Sequence, residues 1–109
     1  MTQDWTHTEV EAIVSDYFAM LGQDLRGEAY SKSAHRAALK SALRGRSDGS
    51  IEWKHQNISA VLLDLGFPYI PGYKPRRNYQ RLLWETVAAR LAVDRALVTT
   101  VHEQIEQPA

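Results

Sequence analysis

The chain has 109 residues, 44% of them hydrophobic and 24% charged, and its formal net charge is zero. These values are typical of one globular domain that buries its own core, so we expect a single cytoplasmic domain over residues 1–109. The absence of cysteine excludes disulfides and thiolate metal sites. The sequence shows neither a signal-peptide pattern nor an apolar run of the roughly 18 residues typical of a membrane span, so we expect no membrane partner.

The charges are distributed unevenly along the chain. Residues 26–81 hold eleven of the thirteen basic residues but only four of the thirteen acidic ones. Such segregation gives a neutral protein a basic face if the fold keeps the two groups apart. The alternative is that acidic and basic segments pair with each other across the fold.

The first predicted helix begins near Thr6 and ends near Gly27. Thr6 with Glu9, or Thr8 with Glu11, fits a capping box, in which two N-terminal groups bond each other's backbone N–H. Apolar residues then recur at helical spacing and predict a face that packs in the core: Val10, Ile13, Val14, Tyr17, Phe18, Leu21 and Leu25.

The second predicted helix starts with Ser31 or Ser33 as its cap and continues to about Leu43. We expect its apolar residues to point inward: Ala37 or Ala38, Leu39, Ala42 and Leu43. Its polar side carries Arg36 and Lys40, which either meet phosphates or form an ordinary solvated face.

The third predicted helix begins at Ser47–Asp48 and ends at Gly66, a residue type suited to a left-handed helix end. One face carries the apolar residues Ile51, Ile58, Leu62 and Leu65, with Val61 at its edge. The opposite face, predicted to point outward, carries Trp53, Gln56, Asn57, Ala60 and Asp64. Together with the preceding helix and the tight turn at Gly45–Gly49, this pattern predicts a helix-turn-helix.

Several residues of this helix allow two interpretations. Lys54 adjoins the apolar face and is expected to extend past the core to solvent. His55 is expected to be a partly buried histidine with its bonds satisfied. Asn57 either contacts DNA or holds a neighbouring loop from inside the fold. Trp53 either stacks on a base or sugar or packs against another helix.

Three prolines, Pro68, Pro71 and Pro75, predict an ordered loop between the third and fourth helices. The segment Gly72–Arg77 is the most site-like loop of the chain. It interleaves an aromatic residue with the cations Lys74, Arg76 and Arg77, a combination suited to a phosphate backbone or an unstacked base. In the alternative interpretation, Tyr73 covers the core.

Two further helices follow. Asn78 is predicted to begin the fourth, whose inward residues are Tyr79, Leu82, Leu83, Val87 and Leu91. Asp94 is predicted to cap the fifth, which carries Leu97, Val98, Val101 and Ile105. The tail from Glu103 to Ala109 either frays or links to a further domain. We therefore predict an all-α domain of about five helices with no substantial sheet.

A family resemblance rests on one run of residues and on the segment GYKPRRNYQ after it. The run consists of Gly45, Arg46, Ser47, Ser50, Ile51, Lys54, Asn57 and Ile58. It resembles the N-terminal helical domains of bacterial HNH-type restriction endonucleases and of related multidomain proteins with DUF3883-type parts. The resemblance implies a DNA-binding head of a restriction or DNA-defence system, with a nuclease domain or partner downstream. It carries over no catalytic residues.

The leading hypothesis is therefore a module that binds duplex DNA. The expected contact residues are Arg44, Arg46, Ser50, Trp53, Lys54, Asn57, Tyr73, Lys74, Arg76 and Arg77. The four histidines form no HExxH pair and no nucleotide-binding glycine motif is present, so we expect neither catalysis nor a metal or cofactor. The competing hypothesis is a protein-interaction or homodimerisation domain that uses Trp5, Trp53, Trp84 and Tyr73 as anchors.

Overall fold

Residues 4–106 are described by a computed structural model, in which they form five α-helices and no strand. The helices are α1 (His7–Leu25), α2 (Lys32–Ala42), α3 (Asp48–Asp64), α4 (Arg81–Val93) and α5 (Arg95–Glu106). The predicted all-α class is confirmed. The tail predicted to fray or to link to a further domain began at Glu103; residues 103–106 belong to α5, and positions 107–109 lie outside the described residues.

The helix ends follow the local hydrogen-bonding chemistry of the sequence. Thr6 and Glu9 form the capping box of α1. The hydroxyl groups of Ser31 and Ser47 accept bonds from the first turns of α2 and α3. The Asp94 carboxylate accepts a bond from the backbone of Leu97 at the start of α5. Each bond satisfies an N–H group that the helix itself leaves unpaired.

Helix α1 forms one side of the core. Six of the seven apolar residues predicted to face inward are buried, and Leu25 is partly buried against them. Trp5, which precedes the helix, is also buried, with only 6% of its surface exposed. Trp5 is therefore part of the core rather than of an exposed anchoring patch.

Helix α3 is the central helix, and it is buried on more than one face. It packs against both α1 and α4. Asn57 and Ala60, predicted to point outward, are 2% and 0% exposed, so this prediction was wrong. Asn57 is covered because the loop after α3 returns along the helix and binds it, whereas Leu65 at the helix end is 36% exposed.

Helix α2 is the most exposed of the described helices. Leu39 and the following Leu43 are buried, but Ala37, Ala38 and Ala42 are exposed, contrary to the inward orientation predicted for the alanines. The helix packs on α1, and it does not form an extended packed pair with α3. The two-helix packing of a helix-turn-helix is therefore not established within the described residues.

The connection between α3 and α4 is longer than predicted. Gly66 ends α3 with φ 73°, as expected for a glycine at this position. The chain then remains irregular until Gln80, and α4 begins at Arg81 rather than at Asn78. Asn78 has φ 67°, a left-handed conformation in which asparagine is among the better-tolerated residues.

Within residues 4–106, no helix combines the length and hydropathy needed to cross a bilayer.

Candidate nucleic-acid interface

The loop after α3 is fixed to the helix through backbone groups at Arg76. The Arg76 N–H donates to the backbone oxygen of Gln56 at 3.1 Å. The buried Asn57 amide donates to the backbone oxygen of Arg76. Of its two possible roles, Asn57 thus has the structural one, and its contribution to a site is to position the loop.

The Arg76 side chain lies over an exposed aromatic ring. Its guanidinium carbon is 4.1 Å from the centroid of the Trp53 ring, and its Nε donates to Gln56 Oε1 at 3.0 Å. Trp53 is 51% exposed. A flat cation on an exposed indole forms a platform on which a base or sugar can stack, while the remaining N–H groups face phosphate.

The neighbouring cations Lys74 and Arg77 are also exposed. Arg77 donates to Asp64 at 2.8 Å, and this hydrogen bond lowers the pKa of Asp64. Among the described residues, no ion pair involves Lys74. We call Trp53, Lys74, Arg76 and Arg77 the Arg76 surface.

Arg46 has a different position from the one predicted. It is held by Glu9, with its Nη2 at 2.8 Å from Oε1 and its Nε at 3.0 Å from Oε2. The guanidinium also donates to the backbone of Asp4 and lies 4.8 Å from the Trp5 ring centroid. Hydrogen bonding from Arg46 lowers the pKa of Glu9 to about 2. Arg46 therefore connects the α2–α3 turn to α1 and is not a suitable phosphate ligand.

Tyr73 is a core residue, with 1% of its surface exposed. Its ring lies 4.7 Å from that of His55, and the Lys32 ammonium lies 4.0 Å from its centroid. Burial raises the pKa of its hydroxyl. The ring cannot stack on a base, so the alternative interpretation, in which Tyr73 covers the core, is the one observed.

The remaining cations near α3 divide into paired and exposed side chains. Asp48 accepts an ion pair from Lys40 at 2.9 Å and lies 3.9 Å from Arg36. Arg44 is exposed in the turn before α3, and no ion pair of Arg44 is found within residues 4–106. The mid-chain cations thus do not all gather on one open face, because several are bound to nearby carboxylates.

A groove lies beside the Arg76 surface, at the N-terminal half of α3. Its volume is about 700 Å³, and its lining includes Trp5, Ser50, Trp53, Lys54 and Tyr79. Ser50 is half-buried, and its backbone N–H donates to the Ser47 cap. Lys54 is only 9% exposed, so its side chain does not extend freely past the core as predicted, and it reaches solvent only through this groove.

One polar cluster was not expected from the sequence. The carboxylate of Asp16 binds two histidines, His35 Nδ1 at 2.6 Å and His55 Nε2 at 3.2 Å. These three residues belong to α1, α2 and α3, so the cluster connects three helices. His55 has its bond satisfied, as predicted, but at 1% exposed it is fully rather than partly buried. The sequence signal for Asp16 is its spacing, since it lies three residues after Ile13, which is fully buried, and therefore on the same side of the helix.

The described residues contain no cluster of three or more His, Cys, Asp or Glu side chains suited to holding a metal ion. Comparison of the chain with protein-family models, curated proteins and solved structures found no match. The resemblance to restriction-endonuclease domains therefore stays a prediction, and the functional argument depends on the geometry alone.

Proposed function

We propose that this chain is a DNA-binding module whose contact surface is the Arg76 surface. The observation that carries the proposal is the Arg76–Trp53 stack, held in place by Asn57 and Gln56. Together with Lys74 and Arg77, it presents an aromatic platform and three cations from one fixed loop and one helix, of which Arg77 must first leave its bond to Asp64. Cations bind the phosphates and the ring supplies contact area, a combination recurrent in nucleic-acid interfaces.

The proposed contact set is smaller than the one predicted from the sequence. Tyr73 is removed because it is part of the core, Arg46 is removed because Glu9 holds it, and Asn57 acts by positioning Arg76. Arg44 remains a candidate phosphate contact because it is exposed. The motif resemblance supports a role as the recognition head of a restriction or DNA-defence system, with the cleaving domain elsewhere.

The test is a fluorescence-anisotropy titration of labelled duplex DNA at several salt concentrations. Each neutralised phosphate contributes about 0.9 to the slope of log K against log salt, so contacts from the three cations without a carboxylate partner among the described residues, Arg44, Lys74 and Arg76, give a slope of roughly −3. The double variant Lys74→Gln with Arg76→Gln should reduce that slope by about 2.

The matched control is Arg26→Gln with Arg95→Gln, which removes the same formal charge from positions outside the Arg76 surface. The control should bind as the wild type does. Absence of duplex binding at low salt would refute the proposal, as would an equal loss of affinity in both double variants. Preferential binding of single-stranded DNA would support the Arg76 surface as a nucleic-acid interface but would identify single strands, rather than duplex DNA, as its target.

A second candidate function, protein interaction, is favoured by a groove between α1 and α4. The groove has a volume of about 610 Å³ and is lined by Val14, Leu82, Thr86, Ala89 and Val93, among others. Val93 is 73% exposed, a large exposed fraction for an aliphatic residue. Sedimentation at two protein concentrations tests self-association. A dimer that Val93→Ser weakens, together with no DNA affinity, would favour this function.

A further inference from the structure

The groove at the N-terminal half of α3 contains a buried lysine with no acceptor. Lys54 has 9% of its surface exposed, and none of the described residues accepts a hydrogen bond from its ammonium group or forms an ion pair with it. Its described contact is the Trp5 ring, whose centroid is 5.2 Å from Nζ. An ammonium group that is largely withdrawn from water and has no acceptor in the described part of the protein is poorly compensated, and an anion in contact with it would supply the missing partner.

The ammonium group opens into the groove and is not sealed inside the fold. In the described part of the chain, every side-chain nitrogen or oxygen that is fully sealed from solvent has a hydrogen-bond partner. Lys54 has none, so its Nζ must retain access to solvent. Because Lys54 lines the groove, the groove is the route to it.

Cations and a helix N-terminus beside the groove favour an incoming anion, whereas the carboxylate of Asp4, which also lines the groove, opposes it. Burial lowers the pKa of Lys54, and the nearby charge of Arg46 lowers it further. The carboxylates of Asp4 and Glu9 oppose this effect, but Glu9 is already bonded to Arg46. The first turn of α3 borders the same groove at Ser47, Gly49 and Ser50, and the N-terminus of a helix of 17 residues carries partial positive charge.

The residues that line the groove indicate which other chemical group the anionic ligand should contain. Trp5, Trp53 and Tyr79 line it, and Trp53 presents an exposed ring. A volume of about 700 Å³ lies within the range of small-molecule sites, roughly 300–1,000 Å³. An aromatic body would pack against these rings, while the anionic group reaches the lysine.

We propose that this groove is a binding site for a small aromatic anion, with a phosphate or carboxylate group at Lys54 and an aromatic body against Trp53. The site goes beyond DNA binding and does not depend on it, because its anion contact is Lys54, which lies outside the Arg76 surface, although the two sites share Trp53. Phosphate and carboxylate share the chemistry that Lys54 recognises, so the test must separate them.

The test is a set of NMR titrations of the full chain with four probes, followed through its backbone amide signals. Phenyl phosphate and benzoate carry both an aromatic body and an anionic group, inorganic phosphate lacks the body, and phenol lacks the charge. We expect saturable binding of phenyl phosphate or benzoate at least about tenfold tighter than that of phosphate or phenol, since both parts of the probe contribute. The tighter of the two identifies the preferred anionic group.

Signals that shift on binding should belong to residues lining the groove, such as Ser50, Trp53 and Tyr79. Lys54→Met, which keeps the apolar stem, should weaken binding at least about tenfold by removing the charge-assisted contact. Arg95→Met removes the same charge from an exposed position on α5 and should leave binding unchanged. Melting temperatures of both variants establish that they fold.

Three results would overturn the proposal. They are no saturable binding of any probe at millimolar concentration, unchanged affinity in Lys54→Met, and signal changes centred away from the groove in the wild type. The last of these needs no variant, so the proposal stays testable even if Lys54→Met does not fold.

Discussion

Two arginines of this protein lie over tryptophan rings, and the two pairs have opposite roles. Arg46 is 4.8 Å from the ring centroid of Trp5, which is 6% exposed, and it is bonded to Glu9. Arg76 is 4.1 Å from the ring centroid of Trp53, which is 51% exposed, and its polar partner is the neutral Gln56. The residue types are the same, but only Arg76 keeps its charge uncompensated at the surface.

The comparison shows that the carboxylate, rather than the ring, determines whether an arginine is available to a ligand. A guanidinium bonded through two nitrogens to one carboxylate must break that pair before it can bind phosphate. A guanidinium bonded to a neutral side-chain amide, in contrast, keeps its full charge available to an incoming anion. Arg46 is thus expected to stabilise the fold and Arg76 to contribute to binding.

Removing Arg46 should have the largest effect on stability. Arg46→Met leaves the mostly buried carboxylate of Glu9 without its partner, and we expect a loss of about 3 kcal/mol in the free energy of unfolding. Arg76→Met should cost less than about 1 kcal/mol, because its ring contact is exposed. Urea denaturation of both variants measures the difference, and equal losses would contradict the distinction between the two pairs.

The second-largest effect is expected from acid, which should weaken the Arg46–Glu9 pair. The pKa of Glu9 is lowered from 4.5 to about 2 in the folded protein, so the folded state binds this proton less readily than the unfolded state does. The stabilisation is complete above about pH 5 and is lost as pH falls through 4.5 towards 2. After partial screening by solvent, we expect this loss to be about 2 kcal/mol.

Urea denaturation between neutral pH and pH 2 measures this dependence. Glu9→Gln should flatten the acid part of the curve, whereas Glu11→Gln, at an exposed position on the same helix, should keep it. If Glu9→Gln retains the wild-type acid dependence, then the Arg46–Glu9 pair is not its source.

Loosening the support of Arg76 should have a smaller effect. Asn57→Ala removes the buried donor that bonds the Arg76 backbone, and we expect it to destabilise the protein by about 1–2 kcal/mol. Gln56→Ala removes a more exposed bond to the same arginine and should cost about 0.5 kcal/mol. Hydrogen exchange of the Arg76 backbone amide should accelerate in both variants. A larger loss for Gln56→Ala would show that the side-chain bond, rather than the backbone bond, holds the loop.

The smallest expected effect is on the environment of Trp53. In a Trp84→Phe background, which leaves Trp53 as the exposed tryptophan of the described residues, Arg76→Met should raise quenching of tryptophan fluorescence by acrylamide. The folding free energy should change by less than about 1 kcal/mol. Arg77→Met serves as the control, because Arg77 is bonded to Asp64 and is not stacked on the ring. Equal quenching in the two variants would argue against the stack in solution.

The sequence predicted the features that depend on near neighbours. The caps at Thr6, Ser47 and Asp94 each use a bond between residues three positions apart, and Gly66 ends α3 through its own backbone preference. The core face of α1 followed from its 3.6-residue period. Such features need no knowledge of the rest of the fold.

The same reasoning failed where a second layer of chain was involved. A helical period shows which residues share a face but not whether another segment covers that face. The pattern predicts that Asn57 and Ala60 point to solvent, yet both are buried, and Asn57 is covered by the loop that it binds. The alanines of α2 were predicted to point inward because they are apolar. They are exposed, since only Leu39 and the following Leu43 reach the core.

The sequence by itself determined the all-α class, the start of three helices and the cationic character of the 74–77 loop. The tertiary structure alone decided which cations remain available. Glu9 and Arg46 are 37 positions apart, and Asp16 is 39 from His55, so no local pattern reveals that they pair. The reason is physical: caps and periods arise from bonds within one turn, whereas ion pairing and exposure depend on which distant segments the packed core brings together.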